Sequence, residues 1–143
     1  MIIMKFGGTS VKDKEAIERV VSIVRGRMAD KPLVVVSAMA KVTRLLCSIA
    51  DEAEAQHLED VDRLMRQLRD IHTITARALL EDYPDTLAES LDSIGSLCDS
   101  LQSFVSGVCQ IGELSPRSYA RIVSTGELLS STIVAASMSV RGL

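Results

Sequence analysis

The segment Lys5-Phe6-Gly7-Gly8-Thr9-Ser10 holds the residue types in this sequence that could most directly do chemistry. Glycine has no Cβ, so a backbone passing through two glycines can bring its N–H groups close to phosphate oxygens. A helix start just beyond them adds unpaired donors and a partial positive charge. Lys5 at the end of a strand would place a full positive charge beside the same oxygens. The order is not that of a Walker A loop, in which the lysine follows the glycines. Taken as bare physics, the segment reads equally well as a glycine turn beside a solvated lysine.

Whatever binds there must be positioned by the surrounding elements. Met1 to Phe6 is a short apolar run that stops at the glycines, the pattern of a buried strand. Ile17, Val20, Val21, Val24 and Met28 share one helical face, and Ser10 with Asp13 three residues later predicts a capping-box start for that helix. Lys31-Pro32 breaks it, and Leu33 to Val36 is too short and too β-branched for anything but a second buried strand. Strand, helix, strand is a βαβ unit, which requires parallel strands and a right-handed crossover.

Beyond Ser37-Ala38 the periodicity is helical. It predicts a helix from about Thr43 to Ala55 and another from Leu58 towards Leu80, ended by Asp82-Tyr83-Pro84-Asp85. A seam runs from Leu87 to Val108, and the two long helices are expected to pair as an antiparallel hairpin. His72 lies beside the apolar stripe and reads as a boundary residue without a catalytic task. Ser115-Pro116 opens a last helix, with serine as cap and proline in the first turn; its seam runs through Ile122, Gly126, Leu129 and Ile133. Gly126 inside that seam implies a close neighbour or a ligand.

The 143 residues amount to about one domain. With 47% apolar and 24% charged residues the chain is an ordinary globular sequence, neither disordered nor fibrous. A net charge of −3 without a basic cluster argues against nucleic acid. The longest apolar runs fall well short of the roughly 20 residues of a bilayer span, and the amino terminus has no secretion-signal pattern, so a cytoplasmic protein without a membrane partner is expected. Cys47, Cys98 and Cys109 form no C-x-x-C pair and read as reduced, structural thiols. The two histidines, His57 and His72, lack zinc-ligand spacing, and no metal-ligating residue is assigned. About 100 residues follow the βαβ unit without a third strand, so the sequence reads as cut where the next strand should begin. The lost cover of the sheet predicts a homo-oligomer.

Lys5-Phe6-Gly7-Gly8-Thr9-Ser10-Val11 resembles the amino-terminal signature of aspartate kinases, members of the amino-acid-kinase family. Two further segments match in order. Val34 to Ala38 with Thr43 resembles the family's second strand and substrate-binding turn. Gly112 to Ser118 followed by Ser124-Thr125-Gly126-Glu127-Leu128-Leu129-Ser130 resembles the helix that carries its substrate-contacting glutamate. The resemblance spans essentially the whole chain. It implies an α/β fold: the βαβ start of a mainly parallel sheet followed by a helix-rich region, the amino-terminal part (1–143) of a three-layer αβα catalytic domain. The carboxy-terminal nucleotide-binding half and the regulatory ACT domains have no counterpart in this sequence.

The resemblance also implies an activity: transfer of the ATP γ-phosphate to the side-chain carboxylate of L-aspartate, with Mg2+ carried on the nucleotide, giving 4-phospho-L-aspartate for lysine, threonine and methionine biosynthesis. Lys5, Gly7, Gly8, Thr9 and Ser10 would then hold ATP, with Lys5 catalytic, and Ser37, Thr43 and Glu127 would hold aspartate. Without the resemblance, Thr43 reads as a helix cap and Glu127 as a solvated helix residue. Arg44 stands where the family usually has asparagine, which alters the hydrogen bonding around Thr43. The kinase part of a bifunctional aspartokinase–homoserine dehydrogenase fits the same residues. A helical interaction module that has lost nucleotide binding is the reading from another class.

Overall fold

The computed structural model describes residues 1–143. Strand β1 (Ile2–Phe6) and strand β2 (Pro32–Val36) pair in parallel, with Ile3 opposite Leu33 and Lys5 opposite Val35. Helix α1 (Lys14–Arg25) is the crossover between them. Four helices follow: α2 (Val42–Glu54), α3 (Leu58–Leu80), α4 (Pro84–Ile111) and α5 (Pro116–Ser139). None is long and apolar enough to cross a membrane.

The helix-rich α/β architecture is the expected one, with local corrections. Gly8–Val11 winds into a 3-10 turn, so the cap of α1 is Asp13, whose Oδ1 accepts from the Ala16 N–H at 2.9 Å, and not Ser10. Helix α1 stops at Gly26, ahead of Pro32. Met28 therefore leaves the apolar face and stands exposed in a second 3-10 turn, Met28–Asp30. Helices α3 and α4 do pack antiparallel: Gln102 donates to Asp62 at 2.9 Å, and Arg69 pairs with Asp99 further along. Ser115 caps α5 through the Ser118 N–H at 3.1 Å, as its sequence requires. Cys98 and Cys109 are buried and Cys47 is half-buried, all unpaired. Burial pushes the Cys98 thiol pKa up, against the pull of Arg69, which keeps it protonated and inert.

The strands are covered on one face only. Met4, Phe6, Val34 and Val36 pack on the helical core, built from residues such as Ile17, Leu46, Ile94, Ile122 and Ile133. On the other face Ile3 is 69%, Leu33 53% and Val35 39% exposed. The strands expected to be buried are thus half-buried, and one helical layer lies against the sheet. Alternation along a strand sends neighbouring side chains to opposite faces, and the five helices fill one of them.

His72 corrects the expectation of a boundary position, because it is fully buried. Its Nδ1 lies 2.7 Å from the Leu68 carbonyl, an arrangement that uses the N–H of the neutral ring, while Nε2 has no partner. Burial lowers its pKa, outweighing the help of that carbonyl. The unfolded chain therefore takes up the proton more readily, and stability present above about pH 6.5 is lost as pH falls below it. His72→Leu is expected to remove this part of the loss. Thermal denaturation at pH 7 and pH 5 checks it, and an equal loss in both proteins would contradict it.

Candidate functional site

The candidate residues gather at the carboxyl ends of the two strands, where open α/β sheets place their ligands. The Ser37 N–H donates to the Phe6 carbonyl at 3.0 Å, continuing the β1–β2 pairing into the turn beyond. Gly8 packs against that turn: a Cβ built there would lie 2.8 Å from the Ala38 carbonyl oxygen. The protein's own packing therefore requires glycine at 8. At Gly7 a Cβ would meet nothing within 4 Å, so the bare backbone there is open to a ligand. The Ser10 N–H closes the loop on the Gly7 carbonyl at 2.9 Å.

Helix α5 meets the same turn from the other side. A Cβ on Gly126 would fall 2.8 Å from the Ala38 Cβ, 3.0 Å from Leu46 Cδ1 and 3.2 Å from Val42 Cγ1. The close neighbours of this helical glycine are the turn and the start of α2. Glu127 follows Gly126 and Thr43 follows Val42, so the two candidate acceptor-binding residues are carried on adjoining backbones, both exposed. Ser37 is half-buried between β1 and α5.

Lys5 is placed differently. It lies on the uncovered face of the sheet, opposite Val35, exposed and without a carboxylate in ion-pairing range. A second correction concerns the donors beyond the glycines. The first turn after them is 3-10, and the α1 N-terminus is already capped by Asp13, so the α-helix start does not open onto the glycines. Thr9 is exposed and Ser10 half-buried in that 3-10 turn.

One residue beside Thr43 carries a feature that was not legible in the sequence. Lys41, between Ala40 and Val42, has φ 70°, in the left-handed region that favours glycine. An L-residue there costs about 1–2 kcal/mol. It is exposed at the start of α2, and with Arg44 it flanks Thr43 with two cations that no carboxylate neutralises. The only sequence signal was a tight strand-to-helix turn without glycine or asparagine.

Other features do not join the site. The largest concavity, about 540 Å³, lies between α4 and the start of α5, where the Arg121 guanidinium stands 4.2 Å over the Phe104 ring; no candidate residue lines it. Glu52, His57 and Asp60 bring three ligand-type atoms within 4.8 Å of one another. His57 is bonded to Glu52 at 2.7 Å and Asp60 to Arg63 at 2.6 Å, so these groups satisfy one another and Arg63, and we assign no metal to them.

Residues 1–143 match the model of the amino acid kinase family. The chain belongs to that family. Among its relatives, aspartokinase 3 (chloroplastic) of Arabidopsis thaliana is 32% identical over 142 residues, covering 98% of the chain and 24% of the relative. The bifunctional aspartokinase/homoserine dehydrogenase 1 (chloroplastic) of the same plant is 30% identical over 141 residues, 99% of the chain and 15% of the relative. The crystal structure of E. coli aspartokinase III in complex with aspartate and ADP superposes with a TM-score of 0.82 at 29% identity, covering 99% of this chain and 29% of that one. The chain thus spans about a quarter or less of the length of these curated relatives.

Proposed function

We propose that this chain is the amino-terminal part of the catalytic domain of an ATP-dependent kinase that phosphorylates the side-chain carboxylate of L-aspartate in amino-acid biosynthesis. The observation that carries the reading is the meeting of three segments at one end of the sheet: the glycine loop at 7–8, the Ser37-Ala38 turn and the Gly126-Glu127 helix. A relative solved with aspartate and ADP supports the substrate pair, and the reaction is the one that the single-function and bifunctional relatives share. The cytoplasmic placement expected from the sequence is part of this proposal; the names of the plant relatives place those proteins in the chloroplast.

The chemistry suits the residues present. An aspartate side chain is ionised at neutral pH, so its attack on the γ-phosphorus needs no general base. Phosphoryl transfer then rests on alignment and on stabilising charge at the transferring group. Gly7 leaves its backbone open to phosphate, with Gly8, Thr9 and Ser10 continuing the loop, and Lys5 supplies positive charge. Thr43 offers a hydroxyl to the aspartate carboxylate, and Glu127 pairs with its ammonium. Asp13, the acid that follows the loop in sequence, accepts from the Ala16 N–H through Oδ1 and pairs with Lys12 through Oδ2. Mg2+ would therefore be held through the nucleotide phosphates, where it neutralises phosphate charge.

Glu127→Ala, in a chain completed to the length of the relatives, is expected to raise the KM for aspartate about 10- to 100-fold, the worth of one charged hydrogen bond, and to leave that for ATP nearly unchanged. Equal effects on both substrates would make the glutamate structural. Self-association is part of the same proposal. The apolar face of Ile3, Leu33 and Val35 and the unpaired strand edges favour contact with a second copy. Light scattering across a dilution series is expected to give a multiple of 15.5 kDa, and a stable monomer at micromolar concentration would refute it.

A further inference from the structure

The turn after β2 is gripped from both sides by the segments assigned to the two substrates. Its Ala38 carbonyl lies against Gly8 of the loop, and its Ala38 methyl lies against Gly126 of α5. Ala38 is 3% exposed, so it is a spacer of fixed width between them. One turn beyond Gly126 stands Ser130, 1% exposed, whose hydroxyl donates to the Ser37 carbonyl at 2.7 Å. The same hydroxyl lies 3.2 Å from the Glu127 carbonyl in its own helix, a longer contact for its single proton. Ser37 in turn donates its N–H to Phe6 at the end of β1. A continuous path therefore runs from the strand that leads into the glycine loop, through Ser37, to the helix that carries Glu127.

We propose that Ser130 is a positioning residue: its bond to the Ser37 carbonyl fixes where α5, and with it Glu127, stands relative to the glycine loop, with Ala38 setting the separation. The significance of Glu127 rests on the reading given under the proposed function; the coupling itself does not. The apolar seam of α5 determines which face of the helix is buried, but dispersion contacts are non-directional and tolerate a small slide along the axis. A hydrogen bond to a backbone carbonyl is directional and does not. Glycine at 126 makes the bond possible, because a side chain there would hold the helix away from Ala38 and lengthen the Ser130–Ser37 contact.

Amide hydrogen exchange followed by NMR on the 143-residue chain tests the coupling, with Ser130→Ala and Ser130→Thr beside the parent protein. The reporters are three hydrogen-bonded amides: Ser37 on Phe6, Val42 on Met39 and Ser10 on Gly7. Ser130→Ala is expected to speed exchange at Ser37 and Val42 about 2- to 12-fold, the range set by one neutral hydrogen bond, beyond any change in α3 and α4. It should also shift the Ser10 resonance, and Ser130→Thr should restore the parent pattern. Changes confined to α5, or spread evenly over the chain as by simple loss of stability, would overturn the proposal. In a completed chain Ser130→Ala should raise the acceptor KM in the same direction as Glu127→Ala, with a smaller effect on ATP. If Glu127→Ala raises it and Ser130→Ala does not, the positioning claim fails. If Glu127→Ala leaves it unchanged, the substrate reading fails and the exchange result decides the coupling alone.

Discussion

Lys5→Ala, in a chain completed to the length of the relatives, is expected to lower turnover on the order of 10²–10³-fold, the usual cost of removing one donor to a charged transition state. The fold should survive. Lys5 is exposed, takes part in no ion pair and lies on the face of the sheet that no helix covers, so its removal opens no cavity and leaves no partner unpaired. An effect of this kind falls on turnover more than on affinity, because a charge at the transferring phosphoryl group matters most when negative charge redistributes there. Coupled ADP-release kinetics, with thermal denaturation as the control for folding, is the measurement. Activity within twofold of the parent would remove Lys5 from the site.

The isolated chain of 143 residues is expected to produce no ADP in response to aspartate, although it contains Lys5, Thr43 and Glu127. The candidate residues sit at an open end of the sheet, and none of the larger concavities of the molecule is lined by Lys5, Gly7, Ser37 or Thr43. A site so open cannot hold two substrates in line or exclude water between them. Alignment of reactants accounts for up to roughly 7–11 kcal/mol of a catalysed barrier, and exposed residues at an open sheet end supply little of it. Aspartate-dependent ADP release from the purified chain, abolished by Lys5→Ala, would disprove this.

Much of the architecture was legible locally. A run such as Ile2 to Phe6 that ends in two glycines has few alternatives to a strand and a turn, and the spacing of Ile17, Val20, Val21 and Val24 suits only a helix. Serine followed by proline at 115–116 marked the start of α5, because the cap and the missing N–H are properties of the first turn alone. The boundaries of α1 were less legible: Ser10 and Asp13 both suit a cap, and only the 3-10 winding of Gly8–Val11 selects Asp13.

What the sequence by itself determined about this protein was its set of elements and the residue types able to meet phosphate, carboxylate and ammonium groups. Tertiary structure decided how those residues meet. Gly8 and Gly126 are 118 positions apart, yet a Cβ at either would come within 2.8 Å of the same residue, Ala38. The same holds for Ser130, a plain helical serine until the Ser37 carbonyl stands 2.7 Å away. Helix packing also buried His72 fully and left Ile3, Leu33 and Val35 in the open. Periodicity reports which side chains share a face; which faces find a partner depends on long-range packing, and no local pattern carries that information.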